Sequence, residues 1–152
     1  MIRVLHIDDE APIRLLARVN LEWEGGFEVI EAGDGRTGVG LAKRERPDLV
    51  LLNVNLPGVD GWQVAEALVE DEETREIPIV FLTARCEHRE IARGIGIGAV
   101  DYITKPFNPV ELVPRIRGLL VRLERGEREA VRREKMSELG TLMEADGADS
   151  PP

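Results

Sequence analysis

The chain has 152 residues, about the length of one domain, and a domain of that size can bury a hydrophobic core without disulfides or structural metals. Its composition, 43% hydrophobic and 32% charged, is typical of a soluble globular protein, and no apolar run approaches the roughly 20 residues that a membrane-spanning helix needs. The 29 acidic and 20 basic side chains give a formal charge of −9, which disfavours direct binding to nucleic acid.

The N-terminus and the cysteine content predict a cytoplasmic protein. The apolar segment that begins at Met1 is interrupted by Asp8 and Asp9, too early for the apolar region of a secretory signal. Cys86 is the only cysteine, so the chain cannot form an internal disulfide or a cysteine-based metal site, as expected in a reducing compartment.

Five short apolar runs predict β-strands. The runs are nearly continuous instead of alternating, which is typical of parallel strands that helices cover on both faces. They lie at residues 4–7, 27–30, 49–52, 79–82 and 100–103.

Helical periodicity between these runs predicts the helices that cover the sheet. The first begins at Pro12 and stops at Gly25, and the others are expected at residues 36–45, from residue 61 onwards, and at residues 87–95. Strands and helices alternate five times. This alternation predicts an α/β fold, a doubly wound five-stranded parallel sheet flanked by five helices.

The residues after Pro109 predict a closing helix with an extension. An amphipathic helix at residues 111–123 completes a domain of residues 1–123. Residues 124–144 are expected to form a charged, solvated helical extension, and one continuous helix over residues 110–144 would be about 50 Å long. Residues 145–152 are expected to be a disordered tail.

Polar side chains follow the predicted strands, at the edge of an open α/β sheet where sites form. In strand order they are Asp8, Asp9 and Glu10, then Asn53 and Asn55, then Thr83, then Lys105. Adjacent carboxylates repel one another unless a cation lies between them, and hard oxygen ligands suit Mg²⁺. A hydroxyl and an ammonium on the other side of the metal suit a phosphoryl group, so the pattern predicts a site for a divalent ion and phosphate.

Several of these residues stand in the order and spacing of a known family. They are the pair Asp8 and Asp9, the turn Pro57-Gly58-Val59-Asp60-Gly61, Thr83, Tyr102, and the run Lys105-Pro106-Phe107. On these residues the chain, over about residues 1–123, resembles the receiver domain of two-component response regulators. The resemblance implies a flavodoxin-like fold and a role in phosphorelay signal transduction.

The resemblance also implies a magnesium site. The metal ligands would be Asp9, Asp8 through a water molecule, the side chain at position 53, and the backbone carbonyl of Asn55.

The resemblance further implies roles in binding a phosphoryl group. In this family, an aspartate at the end of the third strand receives the phosphoryl group from a sensor histidine kinase or a phosphotransfer protein. Thr83 and Lys105 would bind the phosphoryl oxygens, and Thr83 and Tyr102 would form the switch that a downstream protein partner reads. The Lys105–Pro106 peptide bond would be cis.

The sequence departs from the family at the phosphoacceptor position, which is Asn53. A carboxylate can attack phosphorus, whereas an amide oxygen is a poor nucleophile and carries no charge to attract a metal. We therefore expect no phosphorylation at Asn53 and a weakened affinity for Mg²⁺. Two explanations remain open: an engineered aspartate-to-asparagine change that holds a working receiver unphosphorylated, or a natural pseudo-receiver.

Two other functions compete with a signalling receiver. One is a phosphorylation-independent scaffold that forms a homodimer through the last helix. The other is an aspartate-based phosphohydrolase, which Asn53 disfavours because such an enzyme needs an aspartate nucleophile. We expect a non-enzyme, since members of the resembled family only assist their own phosphorylation and dephosphorylation, and no DNA-binding domain in this sequence.

Overall fold

The computed structural model describes residues 1–84 and 88–148, and within them the chain forms five strands in one sheet and six helices. The strands are β1 (Arg3–Ile7), β2 (Glu28–Ala32), β3 (Leu49–Asn53), β4 (Ile79–Thr83) and β5 (Asp101–Thr104). The helices are α1 (Ala11–Gly25), α2 (Gly35–Glu45), α3 (Gly61–Glu70), α4 (His88–Ile97), α5 (Pro109–Glu124) and α6 (Arg128–Ala148). Three parts of the predictions lie outside the described residues. They are the cysteine Cys86, residue 87, where the fourth helix was expected to begin, and residues 149–152 of the expected tail.

The sheet confirms the predicted doubly wound fold. All neighbouring strands are parallel, in the order β2-β1-β3-β4-β5. The order reverses between β1 and β3, and this reversal opens a crevice at the carboxyl ends of the two strands. Ile7 pairs with Leu52, and Asn53 pairs with Leu82, so the ends of β1, β3 and β4 lie side by side.

Two buried clusters hold the helices to the sheet. One cluster includes Phe81 with residues of α3 and α4, and the other includes Leu82 with residues of α1 and α5. Because adjacent strand residues point to opposite faces, Phe81 and Leu82 belong to different clusters. The continuous apolar runs in the sequence are explained by this burial on both faces.

The start of α3 is fixed against the end of β3. Asp60 accepts a hydrogen bond from the backbone N–H of Gln63, and the Gln63 side chain accepts one from the N–H of Asp60, which forms a capping box. A Cβ atom on Gly61 would lie 2.5 Å from the carbonyl oxygen of Asn53, so only glycine allows this approach. The turn after β3 is thereby held beside the predicted site.

The structure corrects the idea of one continuous helix over residues 110–144. The additional C-terminal helix is present, but α5 ends at Glu124 and α6 begins at Arg128 as a separate helix. Gly126 between them has a φ of 79°, which ends the helical path. The Arg122 guanidinium pairs with Glu134 at 2.5 Å and with Glu127 at 3.0 Å, and these pairs hold the turn.

The expectation of a solvated extension is also wrong in part. The helix α6 folds back on α4 and β5, and Leu139 and Val131 on its inner side are buried. It continues to Ala148, past the boundary at residue 145 that was expected to begin a disordered tail. Its inner side combines these apolar residues with Arg132 and Lys135, which contact Ile95 of α4 and Asp101 of β5.

Candidate functional site

Hydrogen bonds bring the predicted metal ligands together at the crevice. Asp8 and Asp9 follow β1, and Asn53 ends β3. The side-chain nitrogen Nδ2 of Asn53 donates to Asp9 Oδ1 at 3.1 Å, to the carbonyl oxygen of Asn55 at 3.1 Å, and to Asp8 Oδ1 at 3.3 Å. Three of the four groups that are predicted to bind Mg²⁺ therefore contact the amide nitrogen of the fourth, Asn53.

Lys105 joins the site from the far side. Its Nζ atom lies 2.8 Å from Asp8 Oδ2 and 3.0 Å from Glu10 Oε2, and its side chain is only 7% exposed. The backbone N–H of Lys105 donates to the carbonyl of Thr83, and the Lys105–Pro106 bond is cis. Glu10 was predicted from the sequence to lie at this edge beside Asp8 and Asp9 but was given no role, and the structure shows that it pairs with Lys105.

The electrostatics of Asp8 follow from its burial and its partners. Burial raises the pKa of this carboxyl, but the His6 imidazole 3.5 Å away and the Lys105 ammonium lower it more, and the net pKa lies below the ordinary value. The backbone N–H of Glu10 also donates to Asp8 Oδ1 at 2.9 Å. Asp8 is thus held as a charged carboxylate in the buried part of the site.

Thr83 ends β4, next to the end of β3. Its side chain is buried, and its Oγ1 atom has no hydrogen-bond partner among the residues that the structure describes. A buried hydroxyl without a partner is costly and is often explained by a ligand or a functional role. Thr83 therefore supplies a free donor close to the crevice.

Tyr102, predicted as a switch residue, is the second residue of β5 and pairs with Phe81 of β4. It is in the middle of β5, is 9% exposed, and belongs to the same buried cluster as Leu139 of α6. Burial raises the pKa of its hydroxyl. The sequence predicts Tyr102 in the fifth strand, but its burial in the same cluster as Leu139 depends on the position of α6.

The present arrangement does not fit a magnesium ion. Asp8, Asp9 and the Asn55 carbonyl already accept hydrogen bonds from Asn53, and the second oxygen of Asp8 is paired with Lys105. Within residues 1–84 and 88–148, no group of three or more His, Cys, Asp or Glu side chains is placed to hold a metal ion. An amide N–H and an ammonium supply the positive partners that the acidic groups require.

Comparison with known proteins identifies the class. Residues 4–117 match the model of the response regulator receiver domain, and the chain belongs to this family. Receiver domains are signalling modules of two-component systems, they interact with histidine kinases or phosphotransfer proteins, they generally bind Mg²⁺ at their acidic pocket, and they are generally not classical enzymes. The receiver fold and the two-component role predicted from the sequence are therefore confirmed.

Particular relatives include transcriptional regulators. The phosphate regulon transcriptional regulatory protein PhoB of Pseudomonas aeruginosa is 44% identical over 127 residues, which are 84% of this chain and 55% of that protein. The DNA-binding dual master transcriptional regulator RpaA of Synechocystis is 43% identical over 125 residues, 82% of this chain and 52% of that protein. The chain thus spans about half of the length of these relatives.

Solved structures show the same fold. The chemotaxis protein CheY4 of Vibrio cholerae has a TM-score of 0.72 and 30% identity, over 79% of this chain and 98% of that one. A CheY-like receiver domain protein of Methanospirillum hungatei has a TM-score of 0.76 and 26% identity, over 83% of this chain and 98% of that one.

None of the helices in residues 1–84 and 88–148 combines the length and the hydropathy that crossing a membrane requires.

Proposed function

We propose that this chain is a cytoplasmic receiver that takes part in phosphorelay signalling, and that Asn53 holds the form described here in the unphosphorylated state. The observation that carries the proposal is the set of hydrogen bonds from Asn53 Nδ2 to Asp8, Asp9 and the Asn55 carbonyl. The partners that we propose are a sensor histidine kinase or a phosphotransfer protein upstream and a protein downstream.

The amide explains why no phosphoryl transfer is expected. With its nitrogen directed at three acceptors, the amide of Asn53 presents two N–H donors where an acceptor residue must present an oxygen lone pair. An amide oxygen is in any case a poor nucleophile toward phosphorus. An aspartate at position 53 would supply the missing oxygen, and it would need a cation such as Mg²⁺ between it and the three acceptors that the amide nitrogen contacts here.

Thr83 and Lys105 support the proposal that the site is complete apart from position 53. The buried hydroxyl of Thr83 lacks a described partner, and the Lys105 ammonium is held at the crevice by Asp8. A hydroxyl and an ammonium are the groups that bind phosphoryl oxygens. We assign these two residues to the phosphoryl group of an aspartate form, and Thr83 with Tyr102 to the switch.

We further propose that Asn53 weakens the affinity for Mg²⁺. Binding of the ion would require the amide of Asn53 to rotate, and this rotation would break its hydrogen bonds to Asp8, Asp9 and Asn55. The site also has two carboxylates, Asp8 and Asp9, instead of three, which lowers its negative charge.

The alternative function, a scaffold that forms a homodimer through the last helix, is not favoured. Leu139 and Val131, two apolar residues of α6 that such an interface could use, are buried within the chain. The mass of the full chain in solution tests this alternative. A dimeric mass would support it.

The test of the proposed function is intact-mass spectrometry after incubation with acetyl phosphate and Mg²⁺. We expect Asn53→Asp to gain one phosphoryl group and the chain with Asn53 to gain none. Asn53→Asp combined with Lys105→Met serves as a control, and this double variant should gain the group more slowly. If Asn53→Asp gains nothing, the site is not a working receiver site.

A further inference from the structure

The carbonyl oxygen of Asp8 lies where the ladder between β1 and β2 ends. The backbone N–H of Asp8 donates to the carbonyl of Ala32, the last residue of β2, at 3.0 Å. In a parallel ladder the N–H and the carbonyl of one residue point to the same neighbouring strand, so the Asp8 carbonyl points toward the chain after β2. That chain bends at Gly33 and enters α2 at Gly35. Because Asp8 is buried, its carbonyl needs a donor from another part of the fold.

Arg14 of α1 supplies this donor. Its Nη1 atom donates to the Asp8 carbonyl oxygen at 2.6 Å, and its Nε atom donates to Glu31 Oε1 at 3.2 Å. The guanidinium thus joins the end of β1 to the edge strand β2. Its charge is balanced by the carboxylate of Glu31, so Arg14 holds the backbone of the site through a neutral group, the Asp8 carbonyl.

Arg18, one turn further along α1, makes only half of this arrangement. Its Nη1 atom lies 2.6 Å from the other oxygen of Glu31, Oε2. Among the contacts of the described residues, Arg18 does not reach Asp8. Two arginines of one helix therefore share one carboxylate, and Arg14 alone of the two also holds the backbone of the site.

The Asp8 carbonyl belongs to the peptide group that leads into Asp9. The Asp8 side chain accepts a hydrogen bond from the N–H of Glu10 at 2.9 Å, which fixes the turn on the other side of Asp9. Asp9 Oδ1 accepts a hydrogen bond from Nδ2 of Asn53 at 3.1 Å. Because the peptide group is planar and rigid, its rotation would swing the Asp9 side chain. The bond from Arg14 restrains this rotation.

We propose that Arg14 is a positioning residue of the crevice, which holds the Asp8 carbonyl and thereby orients Asp9 toward the residue at position 53. The contact between Asp9 and Asn53 belongs to the chain as it stands, so this part needs no phosphoryl transfer. The consequence for phosphoryl transfer rests on the proposed function. In an aspartate form, Arg14 would set the position of Asp9 relative to the reacting carboxylate.

The first measurement is NMR of the chain with Asn53, through the two side-chain N–H protons of Asn53 and the carbonyl carbon of Asp8. Arg14→Met removes the donor to Asp8. Arg18→Met removes the same charge from the same helix and the same carboxylate, and serves as the control. We expect these resonances to move in Arg14→Met and to stay near their parent positions in Arg18→Met. Unmoved resonances in Arg14→Met, or an equal movement in Arg18→Met, would overturn the proposal.

A second variant covers the case in which Arg14→Met does not fold. Arg14→Lys keeps the charge, but an ammonium replaces the planar fork whose separate N–H groups bond Asp8 and Glu31. We expect the same resonances to move in the same direction by a smaller amount. If Arg14→Met is unfolded, unmoved resonances in Arg14→Lys would overturn the proposal.

The second measurement is the rate at which chains with Asn53→Asp gain a phosphoryl group from acetyl phosphate. A misplacement of about 1 Å in a site can slow a reaction by about 100-fold. We expect Asn53→Asp with Arg14→Met to react at least about tenfold more slowly than Asn53→Asp with Arg18→Met, and equal rates would overturn the proposal. If Asn53→Asp alone gains nothing, the proposed function fails, and the NMR comparison still decides whether Arg14 orients Asp9.

Discussion

The Nζ atom of Lys105 lies 2.8 Å from Oδ2 of Asp8, a contact between residues 97 positions apart in the sequence. Both side chains are almost completely buried. The pair joins the segment after β5 to the end of β1 across the carboxyl edge of the sheet. It therefore connects Lys105, which we propose as a ligand of the phosphoryl group, to the acidic side of the site.

Removal of the Lys105 cation should destabilise the chain. Breaking a buried ion pair by removing one partner costs about 3–5 kcal/mol, and we expect about 2 kcal/mol for Lys105→Met, because Asp8 keeps its hydrogen bonds to Asn53 and Glu10. Urea unfolding at neutral pH measures the change. Lys43→Met is the control, since it removes a pair at 3.0 Å between Lys43 and Asp71 that is largely open to solvent, and should lose little. Equal losses in the two variants would contradict the importance of burial.

The response to Mg²⁺ should depend on position 53. A ligand at ten times its Kd stabilises by about 1.4 kcal/mol, which corresponds to roughly 3–5 °C in Tm for a domain of this size. We expect Mg²⁺ to raise the Tm of Asn53→Asp by such an amount and to leave the parent chain nearly unchanged. Thermal unfolding of each chain, once with Mg²⁺ and once with a chelator, measures the two changes in Tm.

A charge control separates coordination from general electrostatics in that experiment. Asn20→Asp adds the same negative charge on α1, where the Asn20 side chain bonds only the carbonyl of Leu16 among the described contacts. It should not respond to Mg²⁺. A response of the parent chain equal to that of Asn53→Asp would contradict the role assigned to the Asn53 amide.

Steric contact at Gly61 predicts a large effect from a single methyl group. In Gly61→Ala the new Cβ would lie 2.5 Å from the Asn53 carbonyl oxygen, and the backbone at the end of β3 must shift. We expect a loss of about 2–3 kcal/mol, typical of overpacking. Gly118→Ala in α5 meets nothing within 4 Å and should gain about 0.5–1 kcal/mol from helix propensity. If Gly61→Ala unfolds at the same urea concentration as the parent chain, the close contact between position 61 and the Asn53 carbonyl oxygen is contradicted.

The local sequence pattern is sufficient to predict strands that are buried on both faces. The continuous apolar runs at residues 49–52 and 79–82 predicted β3 and β4 within one residue of their ends, because strands buried on both faces leave an unbroken apolar signal. The strand predicted at residues 27–30 begins one residue before β2 and ends two residues before its end, since β2 spans Glu28–Ala32. The prediction is less accurate here because Glu28 and Glu31 interrupt the apolar run of this edge strand.

The contacts of α6 and of Asn53 could not be predicted in the same way. Leu139 and Val131 are eight residues apart among many charges, so no single turn of the helix shows a clear apolar side. The direction of the Asn53 amide depends on acceptors from Asp8, Asp9 and Asn55, which only the folded chain brings together. The residues of the site were thus predicted from the polar ends of the strands, their separate roles from the family resemblance, and their hydrogen-bond partners came from the structure.

The turn between α5 and α6 should respond to acid through Glu134. The hydrogen bonds from Arg122 lower the pKa of Glu134 below its value in the unfolded chain, which is about 4.3. A lowered folded-state pKa contributes stability above the unfolded pKa, and this contribution is lost as the pH falls through the folded value.

We therefore expect Glu134→Gln to have a lower Tm than the parent chain at pH 7, and the difference to shrink at pH 3, where Glu134 of the parent chain is increasingly protonated. Thermal unfolding at the two pH values measures this change. Glu144→Gln removes the same charge from an exposed position of α6 and should show little difference at either pH. A difference between Glu134→Gln and the parent chain that stays constant from pH 7 to pH 3 would mean that the Arg122–Glu134 pair does not stabilise the turn.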